Sequence, residues 1–365
     1  MKLKIVTIIG ARPQFIKSGV VSRELAKHRG IREILIHTGQ HYDPQMSDVF
    51  FKQLDLPRPD YQLSIQGGSH GNMTGRMLIE IEKILLTEQP NAVIVYGDTN
   101  STLAGALAAA KLHIPIAHVE AGLRSYNQNM PEEINRKLTD QVSRWLFAPT
   151  ISARKNLLRE GFSEDQILVV GDVMYDTALQ FSSQFDGSNE ILEKLKIRSK
   201  EFVLATIHRA ENTDNLGRLR VILGALNRVA DSRPVILPLH PRTKKVISEN
   251  DFLLDTYSNL KVIEPLGYLE MAQLEKEASL IVTDSGGVQK EAFFYKVPCV
   301  TLRDETEWVE LVDSGWNTLA PPHDEDKVYQ TILASFGKKG SEQEHYGKGD
   351  ASTKIVERLV RDLRP

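Results

Sequence analysis

The chain has 365 residues, of which 41% are hydrophobic and 25% charged, with a formal net charge of −3. These are ordinary proportions for a globular protein, and the length exceeds what one hydrophobic core usually sustains, so two domains are expected. The charge, without a large basic block, argues against nucleic acid as the main partner, and the single cysteine, Cys299, excludes a disulfide framework.

No run approaches the roughly 18 apolar residues of a membrane span. The chain starts directly with a strand pattern and lacks the apolar segment of a signal peptide. A cytoplasmic protein with no membrane partner is therefore expected. Cys299, in the apolar context of residues 297–301, reads as a small core residue.

Residues 4–9 are β-branched and read as a buried first strand. Gly10-Ala-Arg-Pro-Gln-Phe-Ile-Lys17 follows, then a helical pattern to about residue 29. Pro13 suits a first helical turn, where its missing N–H has no helical partner. A strand–Gly–helix start presents free backbone N–H groups to an anion, and Arg12 and Lys17 add cations. The alternative is an ordinary βα turn with solvated charges. The motif is neither GxGxxG nor a Walker loop, so neither NAD nor ATP is indicated.

The second strand, residues 33–38, ends in Thr38-Gly-Gln-His41. Residues 66–75 are rich in Gly, Ser and Asn and read as a mobile loop before a helix over 76–87. Residues 91–96 form a further strand closed by Gly97-Asp98-Thr99, then a small, Ala-rich helix over 101–111. Asp98 is either that helix's N-cap or a site carboxylate. The next strand ends at Val119 and leads into His118-Val-Glu-Ala-Gly-Leu-Arg124 and Pro131-Glu-Glu-Ile-Asn-Arg136. Ligands of parallel sheets bind just beyond strand carboxyl ends, so charge crowded there points to chemistry. The first-turn acids Glu132 and Glu133 also suit a helix N-terminus as such.

After strands near 146–148 and 167–170, a polar segment over 184–200 separates a second series. Its strands lead to His208-Arg209, His240-Pro-Arg242, Asp284-Ser-Gly-Gly287 and Arg303-Asp-Glu-Thr-Glu307. Strand, polar turn and amphipathic helix alternate in both halves. The expected architecture is α/β, with two doubly wound Rossmann-like domains facing across a cleft. The boundaries are 1–170 and 171–348, with a last helix in 349–365 packing back on the first domain.

Ser285, Gly286 and Gly287 form a second anion cradle at a helix start. Glu291, two turns on, is placed to accept hydrogen bonds from a ribose, or lies on a solvated helix face. His208 is either structural or placed to meet a phosphate and protonate a leaving group. No zinc spacing or HExxH occurs. What remains is an anion site whose first wall carries Asp98, Glu120 and Glu132. Such a set suits proton abstraction from carbon on one side and proton delivery on the other.

Taken together and in order, these motifs resemble the non-hydrolysing UDP-N-acetylglucosamine 2-epimerases. The resemblance implies the GT-B fold and inversion of C2 in a UDP-linked 2-acetamido sugar, UDP-GlcNAc to UDP-ManNAc. It implies elimination of UDP to a bound 2-acetamidoglucal and re-addition, with no cofactor and no metal. It assigns Asp98, Glu120 and Glu132 as acid/base carboxylates and His208 as an aid to UDP departure. Arg12, Lys17 and Arg136 would hold charge near the site, and Ser285, Gly286, Gly287 and Glu291 would hold diphosphate and ribose. It also implies a homodimer.

Departures matter, among them Met271 where an aromatic residue near uracil is common. Many members carry Glu-Arg-Pro-Glu where this chain has Glu307-Trp-Val-Glu310, and Thr-Arg-Pro-Glu where it has Ala11-Arg-Pro-Gln14. The Gly67–Gly71 loop lacks an arginine that some members use for regulation by UDP-GlcNAc. Ala11/Gln14 and Glu307-Trp-Val-Glu310 point toward a branch acting on UDP-2,3-diacetamido-2,3-dideoxyglucuronate. Other outcomes are a hydrolysing relative that releases the free sugar, and a non-catalytic UDP-sugar binder.

Overall fold

Short β-branched runs buried on both faces are the signature of parallel strands flanked by helices, and this chain builds two such sheets. The computed structural model describes residues 2–40, 57–182, 190–250, 257–341 and 343–364. His41 and the Arg12 side chain lie outside the described part. The chain divides into one unit of Met1–Thr177 with Glu344–Pro365, and a second of Ala178–Gln343.

In the first unit the described strands are β1 (Leu3–Ile9), β2 (Ile31–His37), β3 (Tyr61–Gln62), β4 (Ala92–Tyr96), β5 (Ile116–Val119), β6 (Trp145–Ala148) and β7 (Ile167–Val169). All pair in parallel, in the order β3-β2-β1-β4-β5-β6-β7. The order reverses between β1 and β4, which makes that junction the switch point where ligands of doubly wound sheets bind. Val6, Ile8, Ile34, Ile36, Val93 and Val95 form the core with Met77, Ile81 and Leu85 of the helix His70–Glu88. Each such side chain contributes about 1.5–3 kcal/mol by leaving water. The helix Asn100–Lys111 is buried almost all round, as its alanines permit.

The helix His70–Glu88 begins inside the stretch expected to be a mobile loop. Ser69 caps it, its hydroxyl accepting from Asn72 N–H at 3.4 Å. The cap and the burial of Met77, Ile81 and Leu85 together outweigh the glycines at 71 and 75, each a cost of only about 1 kcal/mol in a helix. The last helix, Ala351–Leu363, packs on Arg12–Ala26. Asp176 holds its start, accepting from the N–H groups of Ala351 (3.1 Å) and Ser352 (2.7 Å).

The second unit repeats the plan with β8 (Val203–Thr206), β9 (Val235–Pro238), β10 (Lys261–Ile263), β11 (Leu280–Thr283), β12 (Cys299–Thr301) and β13 (Asn317–Leu319). These pair in parallel in the order β10-β9-β8-β11-β12-β13. Its switch point is the β8/β11 junction. Cys299 is buried in β12, as expected of a core residue.

Candidate active site

At the β1/β4 switch point of the first unit the turns after neighbouring strands bring five of the expected residues to one sheet edge. Asp98 follows β4. It is not the N-cap of the next helix: Thr99 is, its hydroxyl accepting from Thr102 N–H at 3.3 Å. Released from capping, the Asp98 carboxylate pairs with Arg136. Glu120 follows β5 and pairs with Lys17 from the helix after β1. Its φ of +75° puts a non-glycine residue in the left-handed region, a local strain of the kind that collects at functional positions. Gly97 passes directly beneath this ion pair. A Cβ there would lie 3.3 Å from Glu120 Oε2 and 3.6 Å from Lys17 Nζ.

The helix Pro131–Val142 separates its two first-turn acids by role. Glu133 is fully buried and accepts from Ser125 N–H (2.9 Å), Ser125 hydroxyl (3.0 Å) and Tyr126 N–H (3.1 Å). Burial alone would raise its pKa. The Ser125 bonds, Arg136 and the Tyr126 N–H outweigh burial and hold it below the usual carboxylate range. Glu133 is thus the support that aims Arg136, 3.2 Å away, at Asp98. Glu132 is partly buried and has no hydrogen bond or ion pair among the described residues. Asn135 steadies the Asp98 loop, donating to Asp98 O at 2.9 Å.

One expectation changes and one open alternative closes, Arg124 having fitted either a salt bridge or the site. The N–H groups of Gly10 and Ala11, expected to be free for an anion, both donate to Gln14 Oε1, at 2.8 and 3.0 Å. The Gln14 amide then donates to Tyr96 O at 2.7 Å. The turn after β1 is therefore closed from within by its own glutamine. Arg124 is an interior salt bridge: its buried guanidinium spans Asp140 (2.7 Å) and Glu160 (2.6 Å).

In the second unit the β8/β11 junction is tied by Asp284, buried at the end of β11. Its carboxylate accepts from the N–H groups of His208 (3.0 Å) and Arg209 (3.1 Å) and from the Asn212 amide (3.1 Å). It also faces His208 Nδ1 at 3.3 Å. Burial lowers the His208 pKa; Asp284 opposes this, while Arg209 and Arg242 add to it.

Ser285 caps the helix Gly286–Phe294, accepting from Val288 N–H at 3.4 Å. The glycines leave the helix start open to close approach, and one carboxylate uses it. A Cβ at Gly286 would lie 2.4 Å from Glu307 Oε1. Glu307 in turn meets Arg209 (3.3 Å) and Arg303 (2.6 Å). Trp308 Nε1 lies 3.3 Å from the same position. The residue that replaces the familiar arginine therefore brings an N–H, not a cation, to this cradle. Glu291 is buried deeper on the helix, beside Tyr268 and Glu275. Burial and the Glu291 charge push Glu275 well above the usual carboxylate range.

The expected residues thus fall into two groups. Lys17, Asp98, Glu120, Glu132 and Arg136 belong to the first unit, and His208, Ser285, Gly286, Gly287 and Glu291 to the second. Sequence reasoning missed the structural roles of Gln14, Asn135 and Asn212 and the orienting role of Asp284. Asp284 carried a signal as the acid between an apolar strand and Ser-Gly-Gly, and Gln14 as a departure from the family's glutamate. Among the described residues, no cluster of His, Cys, Asp and Glu is arranged to hold a metal, and no helix is long and apolar enough to cross a membrane.

Two doubly wound sheets, each with its polar residues at the switch point, define an α/β protein of the nucleotide-binding class. Comparison with known proteins narrows the class. The family described as UDP-N-acetylglucosamine 2-epimerase matches residues 23–360. A Pseudomonas aeruginosa UDP-2,3-diacetamido-2,3-dideoxy-D-glucuronate 2-epimerase is 54% identical, over 98% of this chain and all of the relative. The crystal structure of Methanocaldococcus jannaschii UDP-GlcNAc 2-epimerase in complex with UDP-GlcNAc and UDP superposes with a TM-score of 0.87 at 46% identity, covering 99% of this chain and 100% of the other. That of the Neisseria meningitidis enzyme bound to UDP-GlcNAc gives 0.88 at 31% identity, covering 98% and 100%. The chain belongs to the UDP-N-acetylglucosamine 2-epimerase family, with its GT-B-type fold. It is an isomerase, a non-hydrolysing C2 epimerase of nucleotide sugars.

Proposed function

We propose that the substrate is UDP-2,3-diacetamido-2,3-dideoxy-D-glucuronate and that C2 is inverted by elimination and re-addition of UDP. The observation that carries the chemistry is the division of labour among three carboxylates. Asp98 and Glu120 are each paired with a separate cation, while Glu132 has no partner among the described residues. Groups in such different surroundings suit opposite roles in proton transfer. A carboxylate takes the C2 proton, the C1–O bond breaks with its electrons leaving on UDP, and a C1–C2 double bond remains. UDP then adds back to C1 as a proton reaches C2 on the other face.

The second unit supplies the leaving-group half. His208 is held through Nδ1 by Asp284, so its Nε2 is the atom offered to a ligand. Burial favours the neutral ring in the free protein. An arriving diphosphate favours the imidazolium instead, which then donates to the departing oxygen. Ser285, Gly286 and Gly287 hold the diphosphate at the helix start, Glu291 the ribose, and Lys17, Arg12 and Arg136 the charge near the sugar.

The substrate rests on the 54% identical relative and on Trp308 in place of arginine at the cradle. UDP-GlcNAc is the second reading, favoured by the close likeness to the M. jannaschii structure. NMR of both UDP sugars after incubation with the protein decides between them. Inversion at C2 of UDP-GlcNAc alone overturns the first, and free sugar as the main product overturns re-addition.

A homodimer is part of the proposal. The helix Pro131–Val142 presents Ile134 and Leu138, 46% and 45% exposed, one turn apart, an apolar ridge that a second copy would cover. Light scattering that finds a monomer overturns it. The buried lone cysteine fits a reducing, cytoplasmic setting.

A further inference from the structure

The first unit contains a buried polar chain that the chemistry above does not use. His118 lies in the middle of β5, fully buried. Its Nε2 is 2.7 Å from Gly97 O and its Nδ1 is 2.7 Å from Asp140 Oδ1. Asp140, also fully buried, accepts from Gly122 N–H at 3.2 Å and pairs with Arg124 at 2.7 Å. Arg124 continues to Glu160 at 2.6 Å. Each buried group in this chain thus has a polar partner.

The positions of these contacts are what give them meaning. Gly97 is the residue before Asp98. His118 is two residues before Glu120, on the strand whose carboxyl end leads into it. Asp140 sits on the helix whose first turn carries Glu132, two turns further along. The Gly122 N–H belongs to the loop leaving Glu120. One imidazole therefore joins the three backbone segments that carry the three carboxylates. Its two ring nitrogens face oxygens on two different segments, Gly97 O and Asp140 Oδ1.

We infer that His118 is a positioning residue of the epimerase: its two hydrogen bonds, to Gly97 O and to Asp140, set the spacing of Asp98, Glu120 and Glu132 for proton transfer at C2. The inference rests on the proposed roles of those carboxylates. A displacement near 1 Å costs about a hundredfold in rate even when the reacting groups are intact. Nucleotide binding, which belongs to the second unit, is left alone.

The test compares His118→Gln with Asp362→Asn. Asp362 holds Trp145 Nε1 at 2.8 Å in the same unit, at the amino end of β6 and not at the carboxyl ends that carry Asp98 and Glu120, and serves as a control for lost stability. Both are assayed with UDP-2,3-diacetamido-2,3-dideoxy-D-glucuronate and UDP-GlcNAc, protonated or deuterated at C2. H118Q is expected to lose about a hundredfold in kcat, with KM and UDP affinity within about threefold of the parent. Its primary isotope effect at C2 rises, because proton abstraction becomes slower relative to the other steps. D362N lowers the thermal midpoint and leaves kcat and the isotope effect in place. Turnover of H118Q at the parent rate overturns the inference. So does an activity loss in both variants that merely tracks their folded fraction, with an unchanged isotope effect. If H118Q does not fold, Asp140→Asn is read in the same way. Failure of the underlying reading looks different: D98N, E120Q and E132Q would then all retain turnover.

Discussion

His208 Nδ1 lies 3.3 Å from Asp284 Oδ1, and the same carboxylate oxygen accepts the His208 backbone N–H at 3.0 Å. One buried acid at the end of β11 thus fixes both the ring and the main chain of a residue that follows β8. His208→Ala is expected to lower kcat by about 10²–10⁴, the range for a lost general acid. UDP affinity, measured by calorimetry, stays within about threefold because the helix-start cradle is intact. Asp284→Asn lowers both turnover and the thermal midpoint, since it loses the acceptor shared by three N–H donors.

The carboxylates of the first unit divide by the readout they affect. D98N, E120Q and E132Q should each lose about 10²–10⁴ in turnover while still binding UDP. In D2O the parent protein incorporates deuterium at C2 of the product; conversion without incorporation rules out elimination. Glu133→Gln acts first on stability. It costs about 3 kcal/mol by breaking a buried ion pair, read from urea unfolding.

Glu307 occupies the helix start where a diphosphate is proposed to bind, held by Arg209 and Arg303. Burial alone would raise its pKa, but the two arginines and a backbone hydrogen bond keep it below the usual carboxylate range, so it is an anion at neutral pH. Removing that like charge in Glu307→Gln should tighten UDP binding about tenfold, equivalent to about 1.4 kcal/mol. The gain shrinks as salt is raised. Unchanged or weaker binding would show that UDP does not use this cradle.

His37 gives a pH-dependent term in stability. Burial at the end of β2, against Phe15 at 4.8 Å, lowers its pKa from 6.5 to about 4. Between those values the unfolded chain binds a proton that the folded chain refuses, so stability falls as pH falls through this window. The full loss is about 3 kcal/mol, reached near pH 4. His37→Phe keeps the stacking and removes the proton. Its unfolding free energy should depend less on pH between 6.5 and 4.

Much of this protein was legible before folding was considered. The β-branched runs became strands, and the turns after β1, β4, β5, β8 and β11 carried the expected polar residues. These are local properties: backbone preference, strand period and chain order are written within a few residues. The stretch expected as a mobile loop at 66–75 is helical from His70, because the Ser69 cap and the buried face of the helix together outweigh two glycines.

What sequence could not rank were residues of one type in one neighbourhood. Glu132 and Glu133 are adjacent acids in the same helical turn, yet the loop at Ser125 and Tyr126 folds over only the second and buries it. Asp98 was equally good as a cap or a site carboxylate until Thr99 took the cap. The Gly10 turn looked open until Gln14 closed it. His118 and Asp140, 22 positions apart, became partners only once β5 and the helix after it were packed. Sequence determined which chemical groups stand at the sheet edges. Tertiary structure decided which of them are spent on one another and which remain for a substrate, because hydrogen bonding and burial depend on neighbours brought from elsewhere in the chain.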